Sequence, residues 1–285
     1  MNKNIAIVTD STADIDPRLA AEKEISVVPL NVHFGEEVYK DGIDLNQAEF
    51  FRKLEAAPMP PRTSQPSPGE FHELYQNLLN SGYQGIISIH ISRELSGTWQ
   101  SATIARGMLT GANIAVVDSK SASMGLGLNV LSTWEKLQAG ASLEEAAEYA
   151  RGLYQQQKIF FGVATLEYLH RNGRIGRATK VIGGLLNVKP ILTIDGDGFV
   201  APLEKVRGMN KFVPYLLEGA REFVAGHSGP VDIAIVHAQD PQYAEDILQL
   251  TKERIGIRNS YLAEIGSVIG THTGPGTIGM VVQKS

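Results

Sequence analysis

The 285 residues include no cysteine. Disulfides, thiolate metal sites and cysteine redox chemistry are therefore excluded. A strong charge of either sign is also missing. Lys and Arg number 26 against 31 Asp and Glu, a formal net charge of -5, and no long basic run occurs. Nucleic acid and anionic membrane surfaces are thus not the expected partners. Long apolar runs are absent too. The first apolar run, Ile5-Ala6-Ile7-Val8, is far too short for a signal segment or a membrane span. A cytoplasmic soluble protein is expected.

Several catalytic signatures are missing as well. No G-x-x-x-x-G-K-[ST] loop appears, so no Walker-type nucleotide site is expected. His33, His72, His90, His170, His227, His237 and His272 show neither H-x-x-x-H nor H-E-x-x-H spacing, and no metal site is expected. Gly274, Gly276 and Gly279 match G-x-G-x-x-G, but strand-like residues follow and the chain ends at Ser285. A dinucleotide site needs a helix after the glycines and an acid about 20 residues further on, so the match is rejected. No G-x-S-x-G elbow surrounds Ser96.

What is present is enough apolar residue, 43%, to bury substantial cores, in a length that suits about two domains. Strand-like runs at 5–8, 25–34, 85–91 and 113–117 alternate with helical segments at 18–24, 46–54, 67–79, 103–109, 123–139 and 142–156. Asp16-Pro17, Asn46 with Glu49, Ser67 with Glu70, and Ser142 with Glu145 are helix starts. Alternation of this kind predicts a mainly parallel sheet with helices on both faces. After Lys158 the reading is mixed α/β, with hairpin strands around Asp195-Gly196-Asp197-Gly198, a Gly183-Gly184 pair and a helix at 210–224. The expected architecture is α/β in two domains, residues 1–157 and 158–285, with a ligand at their interface.

The chain is organised around Arg93 to Ala102. A strand leads in, a helix leads out, and Ser96 and Gly97 stand at the expected helix start. The free N–H groups of a helix start, a hydroxyl and an unobstructed backbone suit a carboxylate or phosphate. The same serine serves equally as an ordinary N-cap. Pro58, Pro60, Pro61, Pro66 and Pro68 stiffen a loop that carries Arg62-Thr63-Ser64-Gln65. That loop reads as a linker or as an ordered binding loop. Asp10-Ser11-Thr12, Ser92 to Thr98 and Asp118-Ser119-Lys120-Ser121 each follow a strand. Hydroxyls at the carboxyl ends of strands should converge on one rim. His90, on an apolar strand, reads as a core histidine. His272 lies between glycines in an expected loop and is a site candidate. Arg174 and Arg207, beside glycines, are further candidates or solvated loop cations.

These residues together resemble the DegV family of bacterial fatty-acid-binding proteins. The likeness runs from the first strand to the last. It rests on Asp10-Ser11-Thr12-Ala13-Asp14, Thr63-Ser64-Gln65-Pro66-Ser67-Pro68-Gly69-Glu70-Phe71, Leu95-Ser96-Gly97-Thr98 and Asp118 to Gly125. Asn172-Gly173-Arg174-Ile175-Gly176, Leu186 to Pro190, Lys205-Val206-Arg207-Gly208 and Gly270 to Gly276 complete it. Asn172 departs from the family's usual glycine at that turn. The resemblance implies a long-chain fatty acid such as palmitate between two α/β domains, with its tail in an apolar tunnel. Thr63, Ser96 and Gly97 would hold the carboxylate, with His272 close by. No cofactor is implied. A separate ATP-dependent fatty acid kinase would act on the bound acid, met through Arg174 and Arg207. The alternative is a serine acyl hydrolase or acyltransferase using Ser96 and His272.

Overall fold

The computed structural model describes residues 4–181, 188–207 and 211–284. The expected Gly183-Gly184 pair and Gly208 lie outside the described residues. In chain order the elements are β1 (Ile5–Asp10), α1 (Pro17–Glu22), β2 (Ile25–Val28), β3 (Asn31–Phe34), β4 (Glu37–Lys40) and α2 (Gln47–Ala56). Then come β5 (Arg62–Ser64), α3 (Pro68–Asn80), β6 (Gly85–His90), α4 (Thr98–Met108), β7 (Ile114–Asp118), α5 (Met124–Gln138) and α6 (Leu143–Gly152). The remainder is β8 (Gln157–Gly162), α7 (Glu167–Arg171), β9 (Val188–Ile194), β10 (Val200–Arg207), α8 (Phe212–Val224), β11 (Val231–His237), α9 (Pro241–Lys252), β12 (Asn259–Glu264), α10 (Ser267–Thr273) and β13 (Ile278–Lys284).

The strands at 5–10 and 85–90 are apolar on both faces because both faces are covered, as in parallel sheets generally. They form the centre of a parallel sheet in the order β2-β1-β6-β7. A second sheet, β10-β9-β8-β13-β11-β12, is mixed: only β11 and β12 run parallel. Strands before residue 157 build the first sheet and a small third one, and strands from 157 onward build the second. Between them lies α5, packed on β1 and β6 on one side and on β11 and β13 on the other. Every residue from Met124 to Thr133 is buried, as a helix caught between two layers requires. Its polar residues are paired: Asn129 donates to the Ala150 carbonyl (2.9 Å), and Ser132 accepts from Gln283 (2.6 Å). One core therefore spans both sheets, with Ile7, Ile87 and Val130 in a cluster with Val236 and Val281.

The four helix starts read from sequence all form. Asp16 and Asn46 accept from backbone N–H groups, and Ser67–Glu70 and Ser142–Glu145 are complete capping boxes. Two expectations are corrected. The run at 25–34 is not one strand. Pro29 has no N–H for a ladder, and the chain leaves the first sheet there. It re-enters as β3 in a small antiparallel sheet, β4-β3-β5. The segment at 62–64 is not free loop either: it is β5, with Thr63 opposite Val32, kept short by the flanking prolines. No helix among the described residues is long and apolar enough to cross a membrane.

Candidate functional site

A narrow cavity of about 100 Å³ lies between the second sheet, α10 and the segments that follow β6 and β7. Its walls are apolar: Ile159 and Phe161 from β8, Met280 and Val281 from β13, Val268 and Ile269 from α10. Such a lining is that of a small-molecule site, in which a few polar groups fix orientation. Thr63, Gln65, Ser96, Ser123, Arg174 and His272 are among the polar residues that line it.

Most of these are joined. Thr63 Oγ1 lies 2.8 Å from His272 Nε2, across 209 residues of sequence. Arg174 Nε donates to the Leu95 carbonyl (3.0 Å) and Nη1 to the Asn172 carbonyl (2.8 Å), which sets the guanidinium beside Ser96. Ser96 Oγ is 2.8 Å from Thr98 Oγ1. Gln65 lies over Gly97, where a Cβ would stand 2.9 Å from Gln65 Nε2. Thr63, Ser96 and His272 thus meet at one cavity.

Other expectations need correction. The helix after Ser96 begins at Thr98, with Gly97 as its N-cap, so Ser96 precedes the cap. Gly97 does not line the cavity; Gln65 occupies the approach that its missing side chain opens. His272 is on the last turn of α10, not in a loop. Gly270 reads as a loop residue, but it sits inside the helix, and it is glycine because a Cβ there would meet Phe50 of α2 at 2.6 Å. Arg174, read as a partner contact or solvated loop cation, is exposed as that reading requires, and it also lines the cavity. Arg207 ends β10 opposite Val188, and its side chain lies outside the described residues. Of the three hydroxyl-rich strand ends only the Ser92–Thr98 segment reaches the cavity, through Ser96. Asp10 turns inward, and Ser121 faces Gln157. Ser123, two residues beyond that last segment, lines the cavity instead. Nothing in the sequence sets Ser123 apart from Ser119 and Ser121, which carry the same hydroxyl close by.

His90 is fully buried, as its apolar strand implied. Its Nδ1 is 2.9 Å from Asp10 Oδ2 and its Nε2 2.7 Å from Ser88 Oγ, which Tyr75 caps at 2.7 Å. That serine–histidine–aspartate chain is sealed in the core, away from the cavity.

Burial pushes the His272 imidazole down to about 3, and the Arg174 charge adds to the effect. Nδ1 is buried with no hydrogen-bond partner among the described residues. A neutral imidazole with an unpaired nitrogen, close to a guanidinium, suits an anionic oxygen. The proton balance has a definite sign. Unfolded histidine gains a proton below its ordinary 6.5, whereas folded His272 waits until about 3. This residue therefore removes stability as pH falls between those values and contributes nothing above them. The ring carbon-bound proton signals of His272 are expected to stay flat from pH 7 to 5 in an NMR titration. An inflection near 6.5 would contradict the neutral, desolvated ring.

The sequence matches the DegV family, described as a family of uncharacterised proteins, across residues 4–285. The chain belongs to the DegV family. A DegV domain-containing protein of Streptomyces coelicolor is 38% identical over 285 residues, all of both chains. Among solved structures, a fatty-acid-binding DegV family protein from Thermus thermophilus is 35% identical with a TM-score of 0.92, covering 99% of this chain and 100% of that one. DegV of Bacillus subtilis, a fatty acid binding protein, is 34% identical with a TM-score of 0.89, and all of both chains is covered. The α/β architecture of two sheets around a shared helix is thus the DegV fold.

Proposed function

We propose that this chain binds a long-chain fatty acid, its tail in the apolar cavity and its carboxylate at Thr63, Ser96, His272 and Arg174, and presents it to a separate ATP-dependent kinase. The observation that carries this reading is an apolar cavity with the Thr63–His272 pair and the Arg174 guanidinium among its few polar groups. Tail burial supplies about 0.8 kcal/mol per CH₂, so a long chain needs only orientation from its head group. The fatty-acid-binding relatives from Thermus and Bacillus support the ligand class.

The geometry disfavours a hydrolase. A serine nucleophile needs its base within hydrogen-bond reach and an orienting group behind that base. Ser96 Oγ is bonded to Thr98, His272 to Thr63, and His272 Nδ1 has no acceptor behind it among the described residues. The test is hydroxylamine trapping of acyl phosphate from ATP and palmitate, with and without a bacterial fatty acid kinase. Hydroxamate is expected only with both proteins. Arg207→Ala should keep palmitate binding and lower turnover at least about tenfold, the loss of one charge-assisted contact. Hydroxamate from this chain alone, or ester hydrolysis abolished by Ser96→Ala, would contradict the carrier reading.

A further inference from the structure

Two carboxylates meet behind the cavity. Asp14, in the left-handed turn after β1 (φ 51°), accepts from the Gly266 N–H through Oδ1 (3.0 Å) and from Ser123 Oγ through Oδ2 (2.5 Å). Asp41, just after β4, accepts from the Ser267 N–H (2.9 Å), while its own N–H donates to the Leu30 carbonyl (2.9 Å). Both carboxylates lie within 3.4 Å of where a Cβ on Gly266 would stand, so they flank the same residue. Neither forms an ion pair with Lys or Arg among the described residues. The other charged group near Asp14 is Asp10, also an acid. Two neighbouring buried carboxylates without a cation cannot both stay ionised cheaply.

The connections of this pair are what give it a role. Gly266 and Ser267 begin α10, whose last turn carries His272. Ser123 begins α5 and lines the cavity, as does Leu30. We infer that Asp14 and Asp41 share one proton and act as a positioning pair, holding α10 and Ser123 so that His272 faces the head-group end of the cavity. The inference rests on the fatty-acid reading for its ligand and on the bonds above for its geometry. Burial, more than the adjacent acids, pushes the Asp14 carboxyl up to about 8, and Asp41 is also pushed up by burial. The folded protein therefore keeps a proton that the unfolded chain releases near 3.8, and this stabilisation is lost as pH rises. Ionisation on the alkaline side sets two charges against each other at the start of α10 and loosens what it holds.

The test is the pH profile of binding, with cis-parinaric acid as the fluorescent probe. Its carboxylate stays ionised throughout the range. The parent should bind about tenfold more weakly at pH 9 than at pH 7, the loss expected when binding needs a proton that titrates near the middle of that range. Asp14→Asn replaces the shared proton with an amide N–H, and should bind within about threefold of the parent at pH 7 with the alkaline loss abolished. In the unliganded parent the His272 ring signals should shift between pH 7 and 9, although His272 does not itself titrate there, and should not shift in Asp14→Asn. A flat parent profile, or an alkaline loss that survives in Asp14→Asn, would overturn the inference. Failure of the parent to bind the probe at pH 7 would count against the fatty-acid reading, with the His272 signals still deciding the pair. Should Asp14→Asn not fold, aspartate carboxyl ¹³C signals of the parent decide: no carboxyl titrating above pH 7 means no shared proton.

Discussion

Asp10→Ala is expected to lose about 3–5 kcal/mol of folding stability, the cost of breaking a buried charged hydrogen-bond network by removing one member. Asp10 ends the central strand of the first sheet and is fully buried. Its carboxylate accepts from the Thr12 N–H (3.1 Å), the Thr12 hydroxyl and the Ile91 N–H (3.1 Å), and meets His90 Nδ1 at 2.9 Å. Alanine leaves all four groups without this acceptor, and each buried unpaired donor costs about 1–3 kcal/mol. Relaxation and water entry keep the total below the simple sum. Asp10→Asn retains an acceptor oxygen and should cost less. Urea unfolding followed by circular dichroism checks this. A loss under about 1 kcal/mol for Asp10→Ala would show that the network is not holding the β1 and β6 strand ends together.

The second large effect is on binding. Arg174→Ala removes the only Lys or Arg among the described cavity-lining residues, and Thr63→Val and Ser96→Ala each remove a hydroxyl. A hydrogen bond to a charged group contributes about 1.5–3 kcal/mol, so each change should weaken fatty acid binding by between about tenfold and a hundredfold. Arg174→Ala should stand at the upper end, because it removes net charge as well as donors. Folding should survive all three, since none of these side chains belongs to the main cores. Isothermal titration with palmitate on folded variants is the check. If Arg174→Ala and Ser96→Ala bind as tightly as the parent, the carboxylate lies elsewhere.

The features legible in the sequence are those set by neighbours along the chain. The capping boxes at Ser67 and Ser142 are complete within four residues, so spacing alone defines them. The apolar runs at 5–10 and 85–90 read as doubly covered strands, and His90 read as core for the same reason. Ser96 reads as a carboxylate site from its strand–helix junction, His272 is a candidate between glycines, the family resemblance adds the role of Thr63, and the fold brings all three to one cavity. What was not legible depends on distant packing. Gly270 signals a loop to a local reading, yet it is helical, and the need for glycine comes from Phe50 packed against it from α2. Gly97 looks like space for a ligand until Gln65 fills it. Arg174 sits in a turn rich in glycine, and only the Leu95 carbonyl reveals that it faces the cavity. The approach of Asp14 to Asp41 depends on where α10 docks, which no local pattern encodes.

Extraction of the purified protein tests the central claim most directly. The chain, expressed in bacteria and purified without added lipid, is weighed by native mass spectrometry before and after organic extraction, and the extract is resolved by gas chromatography. The account predicts a mass excess matching one long-chain fatty acid per chain, lost on extraction and recovered as that acid. Arg174→Ala and Thr63→Val should carry less. A parent with no mass excess, only trace fatty acid in its extract, and no uptake of palmitate or oleate when these are supplied would contradict it.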